Sequence, residues 1–297
     1  MFELSKKRWQ WAAMMFMAFV WGASFILMKR GLDALTYIQV AALRIFISFI
    51  LLLPLAIKNL KLVNRKNFLP LLGCGLIGNF FPAFLFTLSE TQISSSLAGI
   101  LNSLTPFFTV IAGVWLFKHK PNKFQITGVI IGFIGAALLI TNGKFNSFGH
   151  INVYALFVVL ATFFYGINSN LIRFKLVGLN GIQITSLIFF FIGPLAGIIL
   201  PFTNFTAAFQ SPYFGSSMLA TFTLAAFGSV ITLFVFNNLI HYTSAIFASS
   251  VTYIIPFFAL VWGIIDGEHI GVIHITAMII ILIGVYLSSL KRKPKIL

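Results

Sequence analysis

SSLAGILNSLTPFFTVIAGVWLF (residues 95–117) and AIFASSVTYIIPFFALVWGII (residues 245–265) decide how this chain is built. Each is an apolar stretch of membrane-spanning length with a proline near its middle. Setting Pro106 on Pro256 gives a constant shift of 150 residues. Under that shift Phe107-Phe108 falls on Phe257-Phe258, Asn102 on Thr252, Gly113 on Gly263 and His119 on His269. The same shift carries Gly78-Asn79 onto Gly228-Ser229. So long a match within one chain indicates an internal duplication. Duplicated membrane halves with helices broken at equivalent places point to a substrate site between them.

Working outward, the chain has 297 residues, of which 8% are charged, and a mean hydropathy of +1.01. That is more apolar side chain than a soluble domain of this size can bury, so an integral membrane protein is expected. The net charge of +15 does not indicate nucleic acid, because the basic residues form short clusters beside apolar spans and read as topology signals. Cys74 stands alone, which excludes an intrachain disulfide framework and a cysteine-based zinc cluster; it reads as a small packing residue. The apolar run after Lys6-Lys7-Arg8 is followed by Lys29-Arg30 and by many further spans, and reads as an uncleaved first helix.

Ten apolar segments reach crossing length: 9–28, 36–57, 68–88, 95–117, 124–140, 151–172, 182–201, 218–240, 245–265 and 270–290. An all-α bundle is predicted, since backbone groups in lipid must be satisfied within the helix and the alternation of a barrel is absent. With the N-terminus in the cytoplasm, 16 of the 20 Lys and Arg residues fall inside. The outside keeps Lys29, Arg30 and Lys144, and Arg44 lies within a span. Both termini are therefore expected in the cytoplasm, in a multi-pass protein of the cell (inner or plasma) membrane. Five spans per repeat is an odd number, so the halves, 1–143 and 148–297, enter the membrane in opposite orientation, as inverted five-helix repeats. The hinge between them is the polar stretch 141–150. The connection 202–217, without Lys or Arg, reads as an ordinary outer loop.

Several motifs resemble a known family. Trp21-Gly22-Ala23-Ser24-Phe25, Leu43-Arg44, Tyr242-Thr243-Ser244-Ala245, Pro256-Phe257-Phe258 and Gly267-Glu268 are similar, in order and spacing, to the signatures of the EamA-like branch of the drug/metabolite transporter superfamily. The resemblance covers nearly the whole chain. It implies a ten-helix inverted-repeat permease for small metabolites, often an exporter of amino acids or related compounds. Its central cavity would be lined by spans one, three, four, six, eight and nine, with five and ten peripheral. Two positions depart from the pattern: Lys118 stands where the family has an acidic residue, and Gln92-Ile93-Ser94-Ser95 replaces an aromatic-Thr-Ser-Ala run.

Candidate binding residues follow from depth. Asn102 is an amide near mid-span, which must face protein or water rather than lipid. Pro106 and Pro256 each remove a backbone donor and free a carbonyl one turn earlier, and in the Asn102 turn that carbonyl could meet a polar ligand. Trp21, Asn79, Tyr165, Ser229 and Thr252 share this depth, with Asn168 and Asn237 slightly further along. Together they describe an uncharged aromatic pocket that donates and accepts hydrogen bonds, suited to a small zwitterionic or neutral metabolite. The competing reading is that these groups bridge helices through small-residue faces. Arg44 has two roles open to it: binding a substrate carboxylate, or pinning the second span to backbone oxygens. The family resemblance, which sets that span away from the cavity, favours the second. Glu90, at the outer end of the third span, has two readings: a group that exchanges a proton during transport, or, as is more usual for an interfacial glutamate, one that is solvated or paired; the absence of a mid-span carboxylate weakens a carboxylate proton relay.

No cofactor or metal is expected, because His119, His150, His241, His269 and His274 lack metal-ligand spacing. A membrane enzyme is disfavoured by the absence of clustered Asp, Glu or His for acid–base or metal chemistry. A passive channel through the same pocket remains the alternative to a carrier. The expected partners are a small-molecule substrate and the lipid bilayer, not nucleic acid. Gly128, Gly132 and Gly135 give the fifth span a small face that packs within a monomer or across a homodimer.

Overall fold

The computed structural model describes residues 4–117, 123–140 and 152–289. Lys118, His119, Lys120, Lys144, His150, the 141–150 hinge and the basic C-terminal residues Lys291, Arg292, Lys293 and Lys295 lie outside them. The described residues form helices and no strand: α1 Lys7–Gly31, α2 Tyr37–Asn59, α3 Phe68–Ser89, α4 Ser95–Leu116, α5 Lys123–Ile140, α6 Val153–Lys175, α7 Gly181–Ile199, α8 Phe214–Tyr242, α9 (245–265) and α10 Val272–Ser289. Eight of them, all but α5 and α10, are long and apolar enough to cross a membrane. The apolar stretches of α5 and α10 are shorter, Ile126–Leu139 and Val272–Gly284. Phe19, Ile50, Ile130, Ile198, Leu219 and Ile279 are exposed on helix flanks, a pattern that water would penalise and lipid favours. The protein is a multi-pass membrane protein.

Side chains close the open backbone groups at the helix starts. Thr36 and Gln39 form a reciprocal capping box on α2, Asn180 and Gln183 form another on α7, and Ser94 and Asn152 cap α4 and α6. The 202–217 connection, expected to be a plain loop, contains a helical turn, Thr206–Gln210, and is tied to α2 where Gln39 donates to the Asn204 carbonyl at 3.1 Å. At the same end of the bundle Ser89 of α3 donates to the Tyr154 carbonyl at 2.8 Å and Ser217 of α8 to the Arg30 carbonyl at 2.8 Å. At the opposite end Arg173 of α6 donates to the carbonyls of Ile240 and His241. These ties fix the helix directions, so that α4 begins at the end where α9 finishes.

Four helices are irregular, in two matched pairs. α3 contains a π-helical segment, Leu76–Phe80, and α8 contains another, Leu224–Ile231, which takes in residues 226–230, the same five positions shifted by 150. α4 is interrupted between Asn102 and Thr105. α9 passes through a 3-10 turn, Ser250–Tyr253, before resuming at Ile255. Proline accounts for the second pair, since it cannot donate to the preceding turn. The carbonyl freed at Asn102 is taken by the Thr105 hydroxyl at 2.8 Å, so it is not left for a ligand as the sequence suggests.

The helices approach closely where glycine permits it. Gly99 of α4 faces the Ala259 methyl of α9, Gly22 of α1 faces Phe258, and Gly166 of α6 lies against the α4 backbone at Phe108-Thr109. The small face of α5 is used within the chain. Gly132 and Gly128 pack against Gly284 of α10, and Gly135 packs against Ile281.

Candidate functional site

The breaks in α3, α4, α8 and α9 meet around a central cavity of about 90 Å³. α1 lines it with Trp21, Ser24, Phe25 and Met28, and α3 with Gly78, Asn79 and Phe86. α4 supplies Asn102 and Thr105, α6 Tyr165, Asn168 and Ser169, α8 Gly228, Leu233 and Phe236, and α9 Ser249 and Thr252. Arg44 reaches in from α2. No described side chain of α5 or α10 lines it.

Of the residues singled out in the sequence, Trp21, Asn79, Asn102, Tyr165, Asn168, Thr252 and Arg44 come together here. Trp21 Nε1 donates to the Gly228 carbonyl at 2.9 Å, and Asn79 Nδ2 to the Cys74 carbonyl at 3.2 Å. Both acceptors lie in or beside the π-helical segments, whose shifted hydrogen-bond register leaves carbonyls open to side chains. Asn168 Oδ1 is buried and accepts no hydrogen bond. Its carboxamide packs on Gly78, where a methyl group would collide with it. That close approach is the physical reason for glycine in the Gly78-Asn79 pair. Pro106 and Pro256 are buried at the two breaks.

Two of the singled-out residues stand off the cavity wall. Asn237 Nδ2 donates to Thr185 Oγ1 at 2.9 Å, tying α8 to α7. Ser229 accepts from Arg44 Nε at 2.8 Å and so meets the cavity through the guanidinium. Arg44 differs from the expectation that it pins α2 to backbone oxygens. Its other contact is a 3.9 Å approach of Nη1 to the Met28 sulfur, and no carboxylate pairs with it among the described residues. The aromatic wall of Phe25, Phe86 and Phe236 was not separable among the 36 phenylalanines of the chain. Thr105 and Ser169 carried a usable signal, as hydroxyls at mid-span.

At one end of the bundle, charged groups tie α1, the start of α4 and the turn after α9 together. The turn after α9 is set by Gly267, whose φ of +81° lies in the left-handed region that favours glycine. There the Glu268 N–H bonds the Gly263 carbonyl at 2.9 Å and the Gly267 N–H that of Ile264 at 3.0 Å, the pattern of a Schellman cap. This directs the Glu268 carboxylate onto the start of α4. Its Oε1 accepts from Ser95 N at 2.9 Å and Ser95 Oγ at 2.8 Å, and its Oε2 from Ser96 N at 3.0 Å and Ser96 Oγ at 2.6 Å. A carboxylate there also meets the positive end of the helix dipole. Lys29 Nζ bridges Glu268 Oε1 at 2.9 Å and Asp266 Oδ2 at 2.6 Å, and Arg30 pairs with Asp266. Burial alone would raise the Glu268 pKa. The bonds from Ser96, Lys29 and Ser95 outweigh it and hold the carboxyl down at about 2.

Beside this cluster lies a second, open hollow of about 730 Å³, lined in part by Lys29, Asp33, Thr36, Gln39 and Glu90. Glu90, expected to be solvated or paired, is neither: it is 7% exposed, and neither carboxyl oxygen has a hydrogen-bond partner. Residue 90 continues the last turn of α3, its N–H bonding the Phe86 carbonyl at 3.0 Å.

The sequence profile of the EamA-like transporter family matches residues 9–141 and again residues 152–290. The chain belongs to the EamA-like transporter family. Among its relatives is the uncharacterised inner membrane transporter YedA of Escherichia coli strain K12, 26% identical over 287 residues, spanning 92% of this chain and 88% of that protein. A protein of Salmonella typhimurium strain LT2 named "probable amino-acid metabolite efflux pump" is 28% identical over 163 residues, covering 53% of this chain and 51% of its own. A solved crystal structure superposes with a TM-score of 0.68 over 95% of this chain and 96% of the other, at 14% identity, and speaks to the fold alone. EamA-like membership agrees with the motifs that suggested it, Trp21 to Phe25 and Gly267-Glu268 among them.

Proposed function

We propose that the chain is a secondary permease in which two inverted five-helix repeats, residues 1–143 and 148–297, rock against each other around the central cavity. Its substrate is a small amino-acid-like metabolite moved outward across the inner membrane, with both chain termini in the cytoplasm. The observation that carries this reading is the cavity itself, where paired helix breaks meet among polar groups left without protein partners. Arg44 retains donors that no carboxylate occupies, and Asn168 Oδ1 is an unused acceptor. A carboxylate on the first and an ammonium on the second satisfy both, while Phe25, Phe86 and Phe236 receive apolar atoms.

The twofold family match supports the repeats, as does recurrence of the irregular turns at a shift of 150. The name of the Salmonella relative supports the substrate class. The salt-bridged end, which this orientation assigns to the outside, favours a gated carrier over the alternative of an open pore. The α5–α10 packing within the chain favours the monomer over the homodimer. Counterflow in proteoliposomes tests the reading: preloaded unlabelled amino acid should drive transient uptake of labelled amino acid above equilibrium. Flux that rises linearly with concentration and shows no counterflow would identify a channel instead.

A further inference from the structure

We propose that Glu90 is a proton-binding site that controls the outer gate, by competing when ionised with Asp266 and Glu268 for Lys29. The inference rests on the alternating-access reading for its consequence, though not for its geometry. Glu90 is buried and unbonded beside a cluster in which two cations, Lys29 and Arg30, already serve three carboxylates, Asp33, Asp266 and Glu268. A neutral Glu90 adds no further charge to that cluster. Loss of its proton to the outer hollow adds one more negative charge beside that cluster, with no donor of its own, in a place that disfavours an unpaired charge.

The groups that face it decide what happens next. Lys29 shares the wall of the same hollow, and its side chain is 35% exposed, so it can turn. Glu268, from the turn after α9, opposes ionisation, and Arg44, from α2, favours it. Asp33 and Tyr37 line the hollow, and no described histidine does. Burial foremost, then the Glu268 charge, push the Glu90 carboxyl well above the usual range against the pull of Lys29 and Arg44. The sign follows: the closed arrangement is favoured at low pH, and it weakens as pH rises from the ordinary glutamate value through the raised one. Recruitment of Lys29 by ionised Glu90 takes away one of the two cations that bridge α1 to the turn after α9, the one that holds Glu268, and leaves Arg30–Asp266 as the remaining tie, so that the outer ends part more readily.

The test needs no substrate. In a Cys74→Ser background, Ser24→Cys places a thiol in the cavity, and a membrane-impermeant maleimide added outside intact cells reports opening. Rates are normalised to the maleimide reactivity of a free thiol at each pH and to total protein labelled after denaturation. Between about pH 6 and about pH 9 the normalised rate should climb by up to about tenfold per unit, the limit for one proton. Glu90→Gln should remain low and flat, Glu90→Asp should keep a rise, and Lys29→Gln should be high and flat. A parent rate indifferent to pH, a rise that survives in Glu90→Gln, or low labelling in Lys29→Gln would each overturn the proposal. Counterflow that fails while this pattern holds would remove the transport reading and leave the gate.

Discussion

Gly99 of α4 and Ala259 of α9 touch, methyl to α-carbon, at the point where the two proline-broken helices pass in opposite directions. The edge of Phe25 closes the same contact from α1. The approach brings the start of α4 within reach of Glu268, so the charge cluster depends on a residue without a side chain.

A larger residue there should separate the helices. Gly99→Val is expected to cost about 1–3 kcal/mol by overpacking and to lower the thermal midpoint of the detergent-purified protein. Gly73→Ala is the control, because its added carbon would meet Leu171 at an ordinary 3.8 Å, and in a helix it should be neutral or stabilising by up to about 1 kcal/mol. Equal midpoints for the two variants would contradict the close contact.

The Glu268 carboxyl is held at about 2, so the stability it contributes is complete above the ordinary glutamate value of about 4.3 and is lost as pH falls through that window. The thermal midpoint of the parent should therefore drop between about pH 5 and about pH 3. In Glu268→Gln the midpoint should start lower and fall less over the same interval. A drop of the same size in both would assign the acid sensitivity to other groups.

Replacing Arg44 by lysine keeps the charge and loses the fixed fork, including the bond to Ser229. Transport of carboxylate-bearing solutes should fall by about ten- to a hundredfold, the equivalent of a charge-assisted bond of roughly 1.5–3 kcal/mol. The corresponding amines, without the carboxylate, should lose much less. An equal loss for both classes, measured as competition at matched protein abundance, would show that Arg44 does not read the carboxylate.

Asn237 serves as a strut between α8 and α7 through Thr185. Asn237→Ala should lower stability by about 0.5–1.5 kcal/mol, the range of interhelical bonds in membranes, with an unchanged half-saturation constant for transport. A marked rise in that constant would put the residue at the substrate.

The membrane class, the proline breaks at residues 106 and 256 and the Gly267-Glu268 motif were all legible in the sequence, because each depends on composition or on local backbone chemistry. Proline breaks a helix wherever it stands in one, and a left-handed turn selects glycine without reference to distant neighbours. Sequence alone did not determine that Arg44 opens into the cavity, that Asn237 turns to α7, or that Glu90 is buried without a partner. A helix apolar on all sides does not announce which face meets its neighbours. For those three residues, the packing of α2 against α8, of α8 against α7, and of the turn after α3 against the bundle decided whether a polar group met water, protein or neither.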